Sequence, residues 1–459
     1  MAKHPCDCKD ATIVEGNYGR ILQGKNSQRH EISNINSSDQ GDKFNNTEHN
    51  LVKSYTMTNV NRMEVILISW GATIVSIKCP DKYGETADVV LGFDNIDSYR
   101  NSHMNPFIGC ILGRCANRIK NGLFTIADTE YKLTLNDDKC HLHGGTCGFG
   151  RQLWNSQIDG CNVVMSYLSD DGEEGYPGAV LITVKFKLTV DNRLEINIRA
   201  SSSKPTIINI SHASFFNLAG HDAGEDELKN HIVTLNCDRW TFTDSKDPIP
   251  TGAIQGVGGT VMDLRIPKKL DECMSKVPPG EGFDHNFCVV QSWQPGVVFI
   301  GRALHPKSGR VLEVYSDQPG VQFYTCGRFP KSIITKDSLS SVSSDSVNTK
   351  QYDDLVSYDS YLDGQEYEGE YIKEKFKSEW NYGDLRSDSG SLVSMNHNLA
   401  FISGKNGAHY TNYCAFTLQP QNYPNAINIK DFPCPILRPG QVYYHDLTYK
   451  FGVQLGNGI

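Results

Sequence analysis

From about residue 54 onward, apolar and polar positions alternate along the chain with a period of two. The runs MEVILISWGATIVSIKC (63–79), AVLITVKFKLTV (179–190) and LEINIRA (194–200) are rich in β-branched residues and end at Gly, Asp, Asn or Pro. Successive side chains of an extended chain point to opposite faces, so such runs predict strands. No long amphipathic helix is legible between 54 and 330. Many strands and few helices over that length predict an all-β protein, a large antiparallel sandwich or barrel.

Two stretches break the pattern. Residues 1 to about 50 are rich in Asn, Ser, Gln, Asp and Gly, which predicts a polar, largely disordered tail before a single domain spanning 51–459. That domain is interrupted at about 331–400 by SLSSVSSDSVNTK and then by an acidic, Tyr-rich run from Tyr352 to Glu379. Neither has a core-forming period, so a long, low-complexity surface insertion is expected. Its carboxylates and tyrosines make it a candidate dock for a basic protein partner or an acceptor of phosphate, although a plain solvated loop is the simpler reading.

Composition narrows the function. A net charge of -9 argues against a general nucleic-acid or anionic-membrane binder. No apolar run is long enough to span a bilayer. The N-terminus, MAKHPCDCKD, lacks the apolar core of a secretory signal, so a cytoplasmic protein is expected, with its 14 cysteines reduced. Cys6 and Cys8 form a lone CxC in a polar tail, without a second ligand pair at zinc-like spacing, and no metal site is expected.

Between the strands lie short polar strings. They are GRCANRIKNGLF (113–124), HLHGGTCGFGRQLW (141–154), DGEEGYPG (171–178), NISHASFFNLAG (209–220), VMDLR (261–265), GFDHNF (282–287), QPGVQFYTCGRF (318–329) and LQPQNYPNAIN (418–428). Together, in this order, they resemble the aldose 1-epimerase (galactose mutarotase) family over about 54–330 and 401–452. The resemblance implies a β-sandwich of the galactose-mutarotase type, no cofactor, and an aldohexose such as galactose or glucose bound in an open cleft. Mutarotation opens a hemiacetal and recloses it. It needs one group to take the O1 proton and another to protonate the ring oxygen.

In the family a Glu is the base and a His the acid, while a second His, an Arg, an Asn, an Asp and a Gln hold the hydroxyls. By resemblance, Asn117 and Arg118 of ANRI, His143 of LHGG, Asp263 of MDLR and Gln322 of GVQFYT take the binding positions. Gly144 and Gly145 let the backbone turn tightly behind His143. His141 is read as a structural histidine. Asp284 and His285 of FDHNF also match the family, as site groups or merely as a turn or lining strand.

The proton-transfer positions depart from the pattern. Against a family string of the form NHSYFNLAG, Ala213 stands at the acid position and His212 one place earlier. A one-residue offset in a strand turns a side chain to the other face unless a bulge corrects it. Against LETQN or LEPQN, Gln419 stands at the base position; its carboxamide can hold a hydroxyl but is not basic. His212 and His409 are the candidate substitutes, with Glu281 a further carboxylate. Two readings follow: an active aldose 1-epimerase with a substitute acid and base, or a sugar-binding relative whose catalysis is weak or lost. The double replacement favours the second.

Overall fold

The computed structural model of the chain describes residues 10–21, 50–244, 247–280, 282–331 and 400–456. Three antiparallel sheets carry the architecture. The largest has nine strands, in the spatial order Asn155–Asp159, Asn162–Ser169, Val180–Leu188, Arg193–Ser202, Tyr443–Val453, Arg310–Ser316, Val298–Leu304, Ile232–Leu235 and Lys268–Lys269. A five-stranded sheet runs Asp247–Gly256, Cys237–Asp244, Asp284–Val289, Gly320–Tyr324 and Thr417–Gln421. The C-terminal strand sits between Arg193–Ser202 and Arg310–Ser316, so the end of the sequence closes the middle of the large sheet.

The alternation in the sequence becomes the two faces of these sheets. Val180, Ile182, Val184, Phe186 and Leu188 are buried while Leu181 and Lys185 are exposed. Those buried residues share one core with Phe287, Val321, Phe323 and Leu418 of the five-stranded sheet. Helices are short, the Ile96–Arg100 and Gly224–Leu228 helices having five residues each. The protein is an all-β sandwich. No helix among the described residues is long and apolar enough to cross a membrane.

Two expectations need correction. The N-terminal region is not polar tail throughout, because Ala11–Arg20 forms the outer strand of a third sheet with Leu51–Asn59, Glu64–Ile68, Thr73–Pro80 and Thr86–Asp88. Ala11 and Ile13 enter the core, the Tyr18 hydroxyl donates to the Phe93 carbonyl at 2.5 Å, and Glu15 pairs with Lys53 at 3.0 Å. Nor are all cysteines free thiols. Eleven are free among the described residues, but Cys161 is disulfide-bonded.

The expected insertion falls on residues 332–399, which lie outside the described residues, as do residues 1–9, 22–49 and Glu281. On its far side the chain is anchored by Lys405. Its ammonium is buried on the carbonyls of Val75 (2.7 Å) and Val90 (2.9 Å) and on the Asp88 carboxylate (2.5 Å).

Candidate active site

The site begins with strand register. Asn286, Gln322 and Gln419 lie opposite one another across three adjacent strands, as do Asp284, Tyr324 and Thr417. Directly opposed residues project from the same face. One face of the sheet is therefore polar, while the alternating Phe287, Val321, Phe323 and Leu418 point into the core. On the polar face Gln322 Nε2 donates to Asp284 Oδ1 at 2.7 Å, and Arg328 Nη2 stands 3.3 Å from Asp284 Oδ2. Burial raises the Asp284 pKa, but the charges of Arg328 and Arg118 and the Gln322 hydrogen bond outweigh it, so the group stays below the usual carboxylate range. Gln322 Oε1 and Asn286 Oδ1 are buried with no partner among the described residues. Orphaned acceptors of this kind are expected where a ligand or ordered water binds.

Two loops complete the arrangement. Asn117 and His143 both adopt left-handed backbone, with φ of 64° and 52°. The Asn117 N–H donates to His143 Nδ1 at 3.0 Å, and the His143 N–H returns a bond to the Asn117 carbonyl at 3.1 Å. With Nδ1 accepting, the ring proton sits on Nε2. Burial, and then the Arg118 charge, push the His143 pKa down to about 3, so the ring is a neutral donor near pH 7. Gly144, at φ +92°, is required by close approach: an added Cβ would lie 1.7 Å from the Gly113 carbonyl oxygen. Arg118 is fixed by Nε on Asp137 Oδ2 at 2.6 Å, and its Nη groups make no hydrogen bond among the described residues. Its charge acts on both His143 and Asp284, which sets the loops beside the sheet's polar face.

Asn117, Arg118, His143, Gln322 and Gln419 thus belong to one region. Gln419 is almost fully buried and its carboxamide has no hydrogen bond among the described residues. Asp263 is arranged differently. Both its oxygens are taken by Arg265, through Nε at 2.8 Å and Nη2 at 2.7 Å, and that pairing holds its pKa down to about 2. Its neighbours Thr260, Val261 and Met262 line the adjacent cleft; Asp263 is not among the lining residues. The carboxylate on the Gln322 side chain is instead Asp284, whose FDHNF string reads equally as a site group or as a turn or lining strand. The available signal was alternation, since Asp284 and Asn286 fall on one face and His285 and Phe287 on the other.

His212 is fully buried, 6.1 Å edge-on to the Tyr449 ring of the nine-stranded sheet, with Ser214 Oγ 3.3 Å from Nδ1. Burial pushes its pKa down to about 3. Ala213 belongs to a different cluster, with Phe107, Phe215 and Tyr324. Phe107 packs edge-on against His143 at 5.1 Å, so Ala213, rather than His212, is on the side of the site. His409 is exposed and stacked on Phe401 at 3.7 Å. His141 is satisfied by the Thr134 carbonyl and the Tyr176 hydroxyl, each at 2.6 Å.

The family model for aldose 1-epimerase matches residues 53–450. The chain belongs to that family. It is 35% identical over 393 residues to the galactose mutarotase of Bos taurus, covering 86% of this chain and 92% of that protein. It is also 32% identical over 279 residues to the aldose 1-epimerase of Escherichia coli K12, covering 59% of this chain and 77% of the relative. Among solved structures, an aldose epimerase homologue from C. elegans superposes with a TM-score of 0.64 at 24% identity, covering 86% of this chain and 97% of that one. Galactose 1-epimerase from Lactobacillus acidophilus does so at 0.62 and 18% identity, covering 89% and 97%. These family members share the sandwich fold with this chain.

Proposed function

We propose that the chain binds an aldohexose such as galactose or glucose against Gln322, Asp284, Arg118 and His143, and that it interconverts the anomers weakly or not at all. The relatives named as galactose mutarotases support the sugar class. The donor set supports binding: the Asp284 carboxylate accepts hydroxyl protons, while His143 Nε2–H and the Arg118 Nη groups donate.

The observation that carries the catalytic half of the reading is Gln419, an uncharged carboxamide where the family resemblance expects the base. The acid position is Ala213, and its histidine neighbour is turned toward Tyr449. Without a base on O1 and an acid on the ring oxygen, each lost proton transfer lowers the rate by roughly 10²–10⁴-fold.

One observation favours an active enzyme: Asp284 and His143 are a carboxylate and an imidazole in one site. Their protonation behaviour argues against that use. A carboxylate held below its usual pKa is a poor base, and a neutral imidazole N–H donates a hydrogen bond but releases no proton readily. Polarimetry on freshly dissolved α-galactose tests the reading. Rotation should relax at nearly the protein-free rate, while strong acceleration would overturn the loss of catalysis. Titration calorimetry with galactose and glucose tests the binding half, and absence of heat from both would overturn it.

A further inference from the structure

The nine-stranded sheet has an outer face, turned away from the sugar-binding groups by the depth of the core. In its strands Arg310–Ser316 and Tyr443–Val453, residues Leu312, Val314, Tyr449 and Phe451 point into that core, which Val321 and Phe323 enter from the other sheet. The alternate positions therefore project outward. Arg302, Glu313 and Lys450 stand directly opposite one another there, with Val311 opposite Gly452 in the next row of the same face. Among these residues lies a cleft of about 280 Å³, walled by Arg302, Glu313, Lys450 and Gln454 and floored by Val311 and Gly452. The floor is open because position 452 is glycine: a Cβ built there meets nothing within 4 Å.

The charges around the cleft are unequally used. Glu313 Oε2 accepts from Lys450 Nζ at 3.0 Å and from the Tyr315 hydroxyl at 2.8 Å. Burial raises the Glu313 pKa, but those two hydrogen bonds outweigh it and the group stays a carboxylate. Arg302 is held by Nη2 on Gln454 Oε1 at 2.7 Å and forms no ion pair among the described residues. Two cations thus face one anion. The unpaired charge is a guanidinium, whose planar fork fits two oxygens of a carboxylate or phosphate. The volume is just under the ~300–1,000 Å³ of pockets that enclose drug-sized ligands, so the occupant is small. A cation would be repelled, and an apolar group would cover Arg302 without a counter-charge. We propose that this cleft binds the carboxylate or phosphoryl group of a small anion, with the Arg302 guanidinium on its oxygens and the Lys450 ammonium beside it.

Inorganic phosphate and acetate, titrated into the full chain at constant ionic strength in chloride, test the site. Binding is read from phosphorus NMR line broadening for phosphate and from saturation transfer to the methyl protons for acetate. At least one should bind saturably, and which of them does so tells a phosphoryl from a carboxylate ligand. Arg302→Gln should weaken that binding about tenfold or more, as expected for loss of a charged hydrogen bond. Gly452→Val should weaken it as much with every charge kept, because the new side chain fills the floor. A β-branched residue suits a strand, so Gly452→Val keeps the test valid if Arg302→Gln destabilises the fold. Lys185→Gln removes an exposed cation from the same sheet outside the cleft and should change nothing. No saturable binding of either anion, or binding that survives Arg302→Gln or Gly452→Val, would overturn the site. Equal weakening by Lys185→Gln would overturn it too, since only the field of the whole sheet would then be acting.

Discussion

Gln419 lies directly opposite Gln322 on adjacent antiparallel strands, and Gln322 in turn holds Asp284 at 2.7 Å. A carboxylate introduced at 419 would therefore face the carboxamide that already holds Asp284, and would supply the proton acceptor that Gln419 lacks. Gln419→Glu combined with Ala213→His should accelerate α-galactose mutarotation, each restored group contributing about 10²–10⁴-fold in polarimetry. Ala213 is packed among Phe107, Phe215 and Tyr324, so the added imidazole should cost about 1–3 kcal/mol of stability, read from urea melts. A folded double variant that stays at the background rate would show that these are not the proton-transfer positions.

The two aspartates separate cleanly. Asp284→Asn removes the charge that Gln322, Arg328 and Arg118 are arranged around, and should weaken galactose binding by about tenfold or more, a charged hydrogen bond contributing about 1.5–3 kcal/mol. Asp263→Asn breaks only the pairing with Arg265 and should leave calorimetric affinity unchanged. The reverse ranking would return the binding role to Asp263.

Gly144→Ala should be severe. Its φ of +92° and the 1.7 Å approach of a built Cβ to the Gly113 carbonyl leave no low-energy alternative. A loss of more than about 2 kcal/mol in denaturant melts is expected, together with weaker galactose binding as His143 shifts. Gly256→Ala, where nothing lies within 4 Å, is the matched control and should change stability little.

Acid should unfold the protein through its histidines. Burial lowers the pKa of His141 to about 4, and of His143, His212 and His231 to about 3, from an ordinary value of 6.5. Between pH 6.5 and about 3 the unfolded chain binds protons that the folded chain refuses. Stability is thus fully present above 6.5 and falls as the pH drops through that window, by up to about 1.4 kcal/mol per pH unit for each group. His212→Phe should flatten this acid limb in thermal melts across pH 6.5 to 4. An unchanged slope would mean that His212 is accessible to protons in the folded state.

The strands were legible because period-two alternation runs long enough to dominate, as at Val180–Leu188. Ala11–Arg20 was not, since only Ala11 and Ile13 of its residues are buried in the core and the register slips between Asn17 and Gly19. At the site, Asn117, Arg118 and His143 stand in short strings whose local turns bring them together. Asp263 and Asp284 look equivalent as letters, and what distinguishes them is the nearest cation or amide in space. Arg265 occupies one and Gln322 the other. The opposition of Gln322 and Gln419 depends on strand register between segments far apart in sequence, which no local pattern encodes.

The strand Ala11–Arg20 pairs along Leu51–Asn59 from Asn59 back to Leu51. A chain trimmed to begin near Asn50 would leave that backbone with a free row of N–H and C=O groups. Such an edge is a template for another molecule to add to. Trimming the polar N-terminus, a routine step toward crystals, is thus a route to self-association, and a preparation made that way would confuse an engineered aggregate with the protein's own oligomeric state.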